Sequence, residues 1–146
     1  MAAPDFYFAI NATFRFIHER WGEEGLMQYW EALASEYYAP VSARFRDEGL
    51  DGVAAYWRGF FAEEPGGSVE VRRDDDAVTI RVAECPAIRH LRAHGREVMP
   101  LYCRHCRVVS TAIARAAGLS FALEGGGGAC EQIWERCAIR DARCAT

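Results

Sequence analysis

Apolar residues in the first sixty positions recur at three- and four-residue steps. Phe6, Ile10, Phe14 and Ile17 mark one face after Asp5, a fitting N-cap, and predict a first helix from about Pro4 to Arg20. Gly22 and Gly25 interrupt that pattern. Leu26, Tyr29, Trp30, Leu33 and Tyr37 then define a second stripe, which Pro40 should kink or split before Val41 to Glu48. Asp51 is expected to cap a third helix carrying Val53, Tyr56, Trp57, Phe60 and Phe61, ended by Pro65-Gly66-Gly67.

Beyond Gly67 the period changes from helical to alternating. Ser68 to Arg72 and Ala77 to Val82 read as a hairpin turned at Arg73-Asp74-Asp75-Asp76, with Val69, Val71, Val78, Ile80 and Val82 facing inward. The triple aspartate is read as a solvated turn, because it lacks the glycine and distal glutamate of a calcium loop. Pro86 suits the first turn of a short helix running to His94, and Pro100 is expected to open a longer one to about Ala117. Leu119 to Glu124 and Cys130 to Ala138 read as two more strands joined across Gly125 to Gly128. The expected fold is α+β in one domain spanning 1–146, helical over 1–64 and mixed over 68–138, with a loosely ordered tail after Ile139.

A chain of 146 residues can bury a sound core without metal or disulfide help. No apolar run reaches the roughly 18 residues of a membrane span and no signal-peptide pattern opens the chain, so a cytoplasmic protein without membrane contacts is expected. A net charge of −4 without a basic stripe argues against nucleic acid as a partner. All 17 Lys and Arg residues are arginine, which excludes lysine nucleophiles and Schiff bases.

Chemistry concentrates in the second half, where all six cysteines fall. In a reducing compartment they are expected to be ligands, catalytic thiols or small core residues in preference to disulfides. Cys85 ends a strand and begins a helix, where the dipole favours a thiolate. Cys103 and Cys106 lie three apart on a predicted helix, so one metal ion can take both. Cys130 follows the glycines, which permit close backbone approach. Cys137 falls on the opposite strand face from Cys130, and it and Cys144 are left out of the site. Cys106 also belongs to the stripe Tyr102, Val109, Ile113, so it reads either as a fourth ligand or as a core thiol. His90 and His94 read as surface residues and His18 as a packing residue, while His105 can reach a pocket from the side. The glycine run lacks the Gly-Lys-Ser/Thr ending of a phosphate loop.

The order strand, Cys85-Pro86, helix, Tyr102-Cys103, helix, strand, glycine turn, Cys130, strand resembles the L-2-amino-thiazoline-4-carboxylic acid hydrolase family, over roughly residues 20 to 137. More distantly the C-terminal half is similar to the 4-vinyl-reductase domain, a small-molecule-binding module whose sensor members hold zinc through cysteines. The first resemblance implies hydrolytic opening of a cyclic isothiourea to an N-carbamoyl cysteine. In that reading a zinc ion held by Cys85, Cys103, Cys106 and Cys130 would activate water or capture the departing sulfur. Arg89, Arg104 or Arg107 would hold a substrate carboxylate, and Glu84 and His105 would be the candidates for proton transfer. Three thiolates leave a metal an open position, whereas four close its shell. A metal-free alternative makes Cys85 or Cys103 the nucleophile. The second resemblance implies a non-catalytic module that binds a small molecule or a metal.

Overall fold

Phe14 and Trp30 are sixteen positions apart, and a straight helix would separate them by about 24 Å. Their ring centroids instead lie 5.4 Å apart. The computed structural model of the chain describes residues 5–138 and Cys144, so Pro4 and most of the tail after Ile139 lie outside it. Helix α1 (Phe6–Ala32) is broken at Gly22, whose φ of 65° reverses the chain and folds the second half back on the first. Asp5 stands at the N-cap position but makes no side-chain cap bond; its carbonyl accepts from the Phe8 N–H instead.

A π-helical turn, Leu33–Tyr37, leads into α2 (Ala39–Glu63), with Pro40 in the first helical turn, where its missing N–H costs nothing. The expected kink is therefore a short connection ahead of the proline. Gly49, φ 63°, breaks α2 and brings Phe45 and Tyr56 to a centroid distance of 5.6 Å. Asp51 does not cap the second half of α2. Its carboxylate accepts a hydrogen bond from Arg73 at 3.0 Å.

Four strands form one antiparallel sheet in the order β1-β2-β4-β3: β1 (Ser68–Arg73), β2 (Ala77–Glu84), β3 (Leu119–Gly126) and β4 (Ala129–Arg136). The aspartate run is a turn, as its composition suggests, with the Asp74 carboxylate accepting the N–H groups of Asp76 and Ala77. Val78, Ile80, Val82, Leu119, Phe121, Leu123 and Trp134 are buried on the inner face, which α2 and α4 cover. Val69 and Val71 on the edge strand are only half-buried. The architecture is α+β, with the helical layers and the sheet sharing one core.

Helix α3 (Pro86–Ala93) starts at the expected proline. Helix α4 (Arg104–Ala116) does not start at Pro100. The buried side chain of Asn11 explains the difference, because it accepts the Met99 N–H at 2.8 Å and donates to the Glu97 carbonyl at 2.9 Å. The segment is thereby tied to α1, and Tyr102 and Arg104 close successive turns onto Met99 and Leu101. Cys103 becomes the N-cap residue of α4. Cys137 and Cys144, expected as free thiols, are joined in a disulfide, with Cα atoms 5.8 Å apart. Among the described residues no helix is long and apolar enough to cross a membrane.

Trp134 sits at the centre of the inner face, fully buried against Phe45, Phe121 and Trp57. Trp134→Ala should cost about 3–5 kcal/mol. Urea unfolding of the variant, with a midpoint displaced and a slope unchanged, checks this.

Candidate functional site

The pairing of β2 with β4 sets the site. Val82 faces Cys130 across the ladder, and one step beyond β2 the Cys85 N–H donates to the Gly128 carbonyl at 2.7 Å. Cys85 is then the N-cap residue of α3. The hairpin that carries Cys130 needs its glycines: a Cβ on Gly125, φ 101°, would stand 2.6 Å from the Ala129 carbonyl and 2.9 Å from the Cys130 Cα. From the opposite side, the Asn11-tethered loop delivers Tyr102 and Cys103, and the first turn of α4 delivers His105 and Cys106.

All four remaining cysteines are free and half-buried, and all four line one cavity of about 200 Å³. The sheet contributes Val82, Leu123 and Gln132 to its wall, the helices contribute Tyr7 and Trp57, and the turn before α2 contributes Tyr38. A second, larger chamber of about 710 Å³ adjoins it, since Tyr7, Tyr38, Trp57, His105 and Cys106 border both. Cys106 therefore faces the cavity and is not enclosed in the core, which its place in the apolar stripe could not decide.

Three of the four thiols, Cys85, Cys106 and Cys130, are held in their neutral form. Burial pushes Cys85 up to about 11; the Ile88 and Ala87 N–H groups at the start of α3 pull the other way, while Cys106 and Cys103 add to the rise. Burial likewise pushes Cys106 up to about 11 and raises Cys130, to which Gln132 donates a hydrogen bond at 3.7 Å. The expected thiolate at Cys85 is thus outweighed: two helix N–H groups do not match the desolvation of an apolar pocket shared with other thiols.

His105 packs among Phe14, Trp30 and Tyr102. Burial holds its imidazole below the ordinary value, so it is neutral at pH 7. Its Nδ1 lies 2.5 Å from the Tyr102 carbonyl, which can only accept, so Nδ1 carries the proton. The Cys106 sulfur lies 3.6 Å from Nε2 and 3.9 Å from Nδ1. Near-equal distances put sulfur beside the ring and off the Nε2 lone-pair axis, so the two do not form an aligned thiol–imidazole pair. His90, expected at the surface, is half-buried against Phe8 and His94.

The remaining expected residues are not in the cavity wall. Glu84 is exposed and pairs with exposed Arg89 at 3.5 Å; Arg104 is exposed and pairs with Glu23 at 2.8 Å; Arg107 is exposed. Neither Glu84 nor any of the three guanidiniums lines the thiol cavity. Adjacency in sequence does not decide this: Pro86 and Tyr102 line the wall beside Cys85 and Cys103, whereas Glu84 and Arg104 on their other sides are exposed and ion-paired. The carboxylate that does reach the site is Glu64, at the end of α2. It accepts the Tyr7 hydroxyl and lines the larger chamber. Nothing local in the sequence marks it; the pairing spans 57 positions.

Thiols are suitable zinc ligands. Among the described residues, however, no three His, Cys, Asp or Glu side chains are grouped to hold a metal ion. The four cysteines share a cavity without forming a ready coordination shell. No family model matches the chain, and no curated protein or solved structure matches it.

The raised thiols give a pH signature. The unfolded chain ionises its cysteines near their ordinary value of 9, while folded Cys85 and Cys106 keep their protons to about 11. Between those values the native state binds more protons, so stability is retained below pH 9 and falls from there toward 11. Iodoacetamide labelling of Cys85, mapped by mass spectrometry, should be slow at pH 7.5 and accelerate toward pH 11. Full labelling at pH 7.5 at the rate of a free thiol would contradict this.

Proposed function

We propose that the protein is a hydrolase that opens a small sulfur- and nitrogen-containing heterocycle, a cyclic isothiourea of the thiazoline type, in the four-thiol cavity. The observation that carries this reading is the convergence of free cysteines from three separate segments onto one apolar cavity, with Cys85 at a helix start. The metal-free route suits the arrangement. The Cys85 sulfur attacks the ring carbon between nitrogen and sulfur, the ring C–S bond breaks, and the ring sulfur leaves as a thiol bearing the proton given up by Cys85. Water then attacks the same carbon, the bond to Cys85 breaks, and its thiol is restored. The product is a ring-opened thiol bearing a urea, and the net reagent is one water. The Ala87 and Ile88 N–H groups favour the transient Cys85 thiolate.

A second reading is a non-catalytic module that binds a small molecule or zinc. The larger aromatic chamber favours the small-molecule form, because it exceeds what a thiazoline ring fills. Zinc would require the four thiols to lose protons and draw together.

Thiol release from a panel of 2-amino-thiazolines, followed with a thiol reagent, tests the first reading. Cys85→Ser should lower turnover at least 100-fold, with circular dichroism unchanged. Absence of release from every ring tested would favour the binding module. Metal analysis of the purified protein and of Cys103→Ser separates the two forms of that module: near-stoichiometric zinc lost on substitution identifies a thiolate metal site.

A further inference from the structure

The charge balance of the two chambers limits what can enter them. Their described lining residues include no arginine, the chain has no lysine, and His105 is neutral. Among the described residues the charged lining groups, Glu63 and Glu64, belong to the larger chamber; Glu63 is exposed and has an interaction of its own, which leaves half-buried Glu64 as the candidate. Arg92, against the Gly127–Gly128 turn beside the thiol cavity, donates to the Gly127 carbonyl at 3.1 Å and does not line the cavity, so a substrate carboxylate would find no guanidinium among the described lining residues and would lose its hydration on entry, which is costly without a partner. A cation meets the opposite conditions. Glu64 is half-buried, and the Tyr7 hydroxyl donates to its Oε2, which fixes the side chain and leaves Oε1 for a second donor. Tyr7 belongs to the walls of both chambers, so a group bound at Glu64 sits where the thiol cavity meets the aromatic one. Beyond that junction Tyr29, Tyr37, Tyr56 and Phe60 offer ring faces, which attract cations and cover apolar groups alike.

We propose that the site selects a cationic, carboxylate-free ligand, an amidinium or protonated isothiourea held by Glu64 with its apolar substituent in the aromatic chamber. This rests on the reading of the thiol cavity as a ligand site, but it departs from the amino acid-like substrate that the sequence resemblance implies. Tyr7 is a positioning residue here, acting through Glu64.

Benzamidine, benzamide and benzoate share one ring and differ in charge, and none is a thiazoline, so their binding can be measured without turnover. Titrated into the intact protein by calorimetry, benzamidine should bind at least tenfold more tightly than benzamide, with benzoate the weakest. Glu64→Gln should abolish the preference for benzamidine over benzamide, and Tyr7→Phe should reduce it. Benzoate binding as tightly as benzamidine, no binding of benzamidine, or a preference that survives Glu64→Gln would each overturn the proposal. Because the ligand panel is run on the unaltered protein, a Glu64 variant that failed to fold would not remove the test. Thiol release from 2-amino-4-phenyl-thiazoline, measured in parallel, keeps the two readings apart: a cation preference without release sinks the hydrolase alone, and release without a cation preference sinks this inference alone.

Discussion

One hydrogen bond fixes the geometry on which the site depends. The Cys85 N–H donates to the Gly128 carbonyl at 2.7 Å, extending the β2–β4 pairing one residue past the end of β2. It locks the start of α3 to the hairpin that carries Cys130, so two cysteines 45 positions apart share a wall. Two close approaches hold the same corner. Arg92 donates to the Gly127 carbonyl at 3.1 Å from the α3 side. Gly67, φ 75°, crosses the Glu84 carbonyl and the Pro86 ring so closely that a Cβ would stand 2.7 Å from each. That crossing ends the run from α2 and sets Glu64 near Tyr7. The strand order, the glycines and the N-cap of α3 thus act as one device.

The cavity is electrostatically opposed to the chemistry it is proposed to perform. Burial in an apolar pocket raises the proton affinity of Cys85, Cys106 and Cys130, neighbouring sulfurs add to the rise at Cys85 and Cys130, and tyrosines follow: burial pushes Tyr38 up to about 12 and raises Tyr7 and Tyr102 as well. At neutral pH the wall is therefore protonated almost throughout. Such a wall resists adventitious oxidation and alkylation, because the thiolate is the reactive form. It also makes nucleophilicity conditional on something that enters the pocket.

The elements were largely legible in the sequence because each carries its own local signal. Alternation marked β1 and β2, the glycine run marked the turn between β3 and β4, the break at Gly22 marked the helical reversal, and Cys85-Pro86 marked the start of α3 to the residue. The observed structure departs from local preference where a distant partner overrides it. Pro100 can open a helix, but Asn11, 88 positions from Met99, holds that segment as a turn and moves the helix start to Arg104. Asp51 can cap a helix, but Arg73 takes its carboxylate. The four cysteines could be gathered by their place at element ends. Their polar company could not: Glu84 and the three arginines are near the cysteines along the chain, whereas Tyr7 and Glu64 come from the two ends of the helical half and meet only in three dimensions.

A cationic ligand would resolve the opposition between a protonated wall and a thiolate mechanism. Positive charge placed at the junction of the chambers favours ionisation of nearby thiols, in the direction opposite to burial and to the neighbouring sulfurs. Cys85 has the least to overcome, because the Ala87 and Ile88 N–H groups already favour its thiolate. A substrate carboxylate in the same place would act in the other direction and keep Cys85 protonated. The same reasoning separates the cysteines by role: Cys106, pushed up to about 11 and with His105 beside it but out of line, lacks the donors that Cys85 has and is better suited to shaping the wall than to attacking a ligand. Charge selection and nucleophile activation are then a single property of the cavity, set by where Glu64 stands and by the absence of a guanidinium from the described walls.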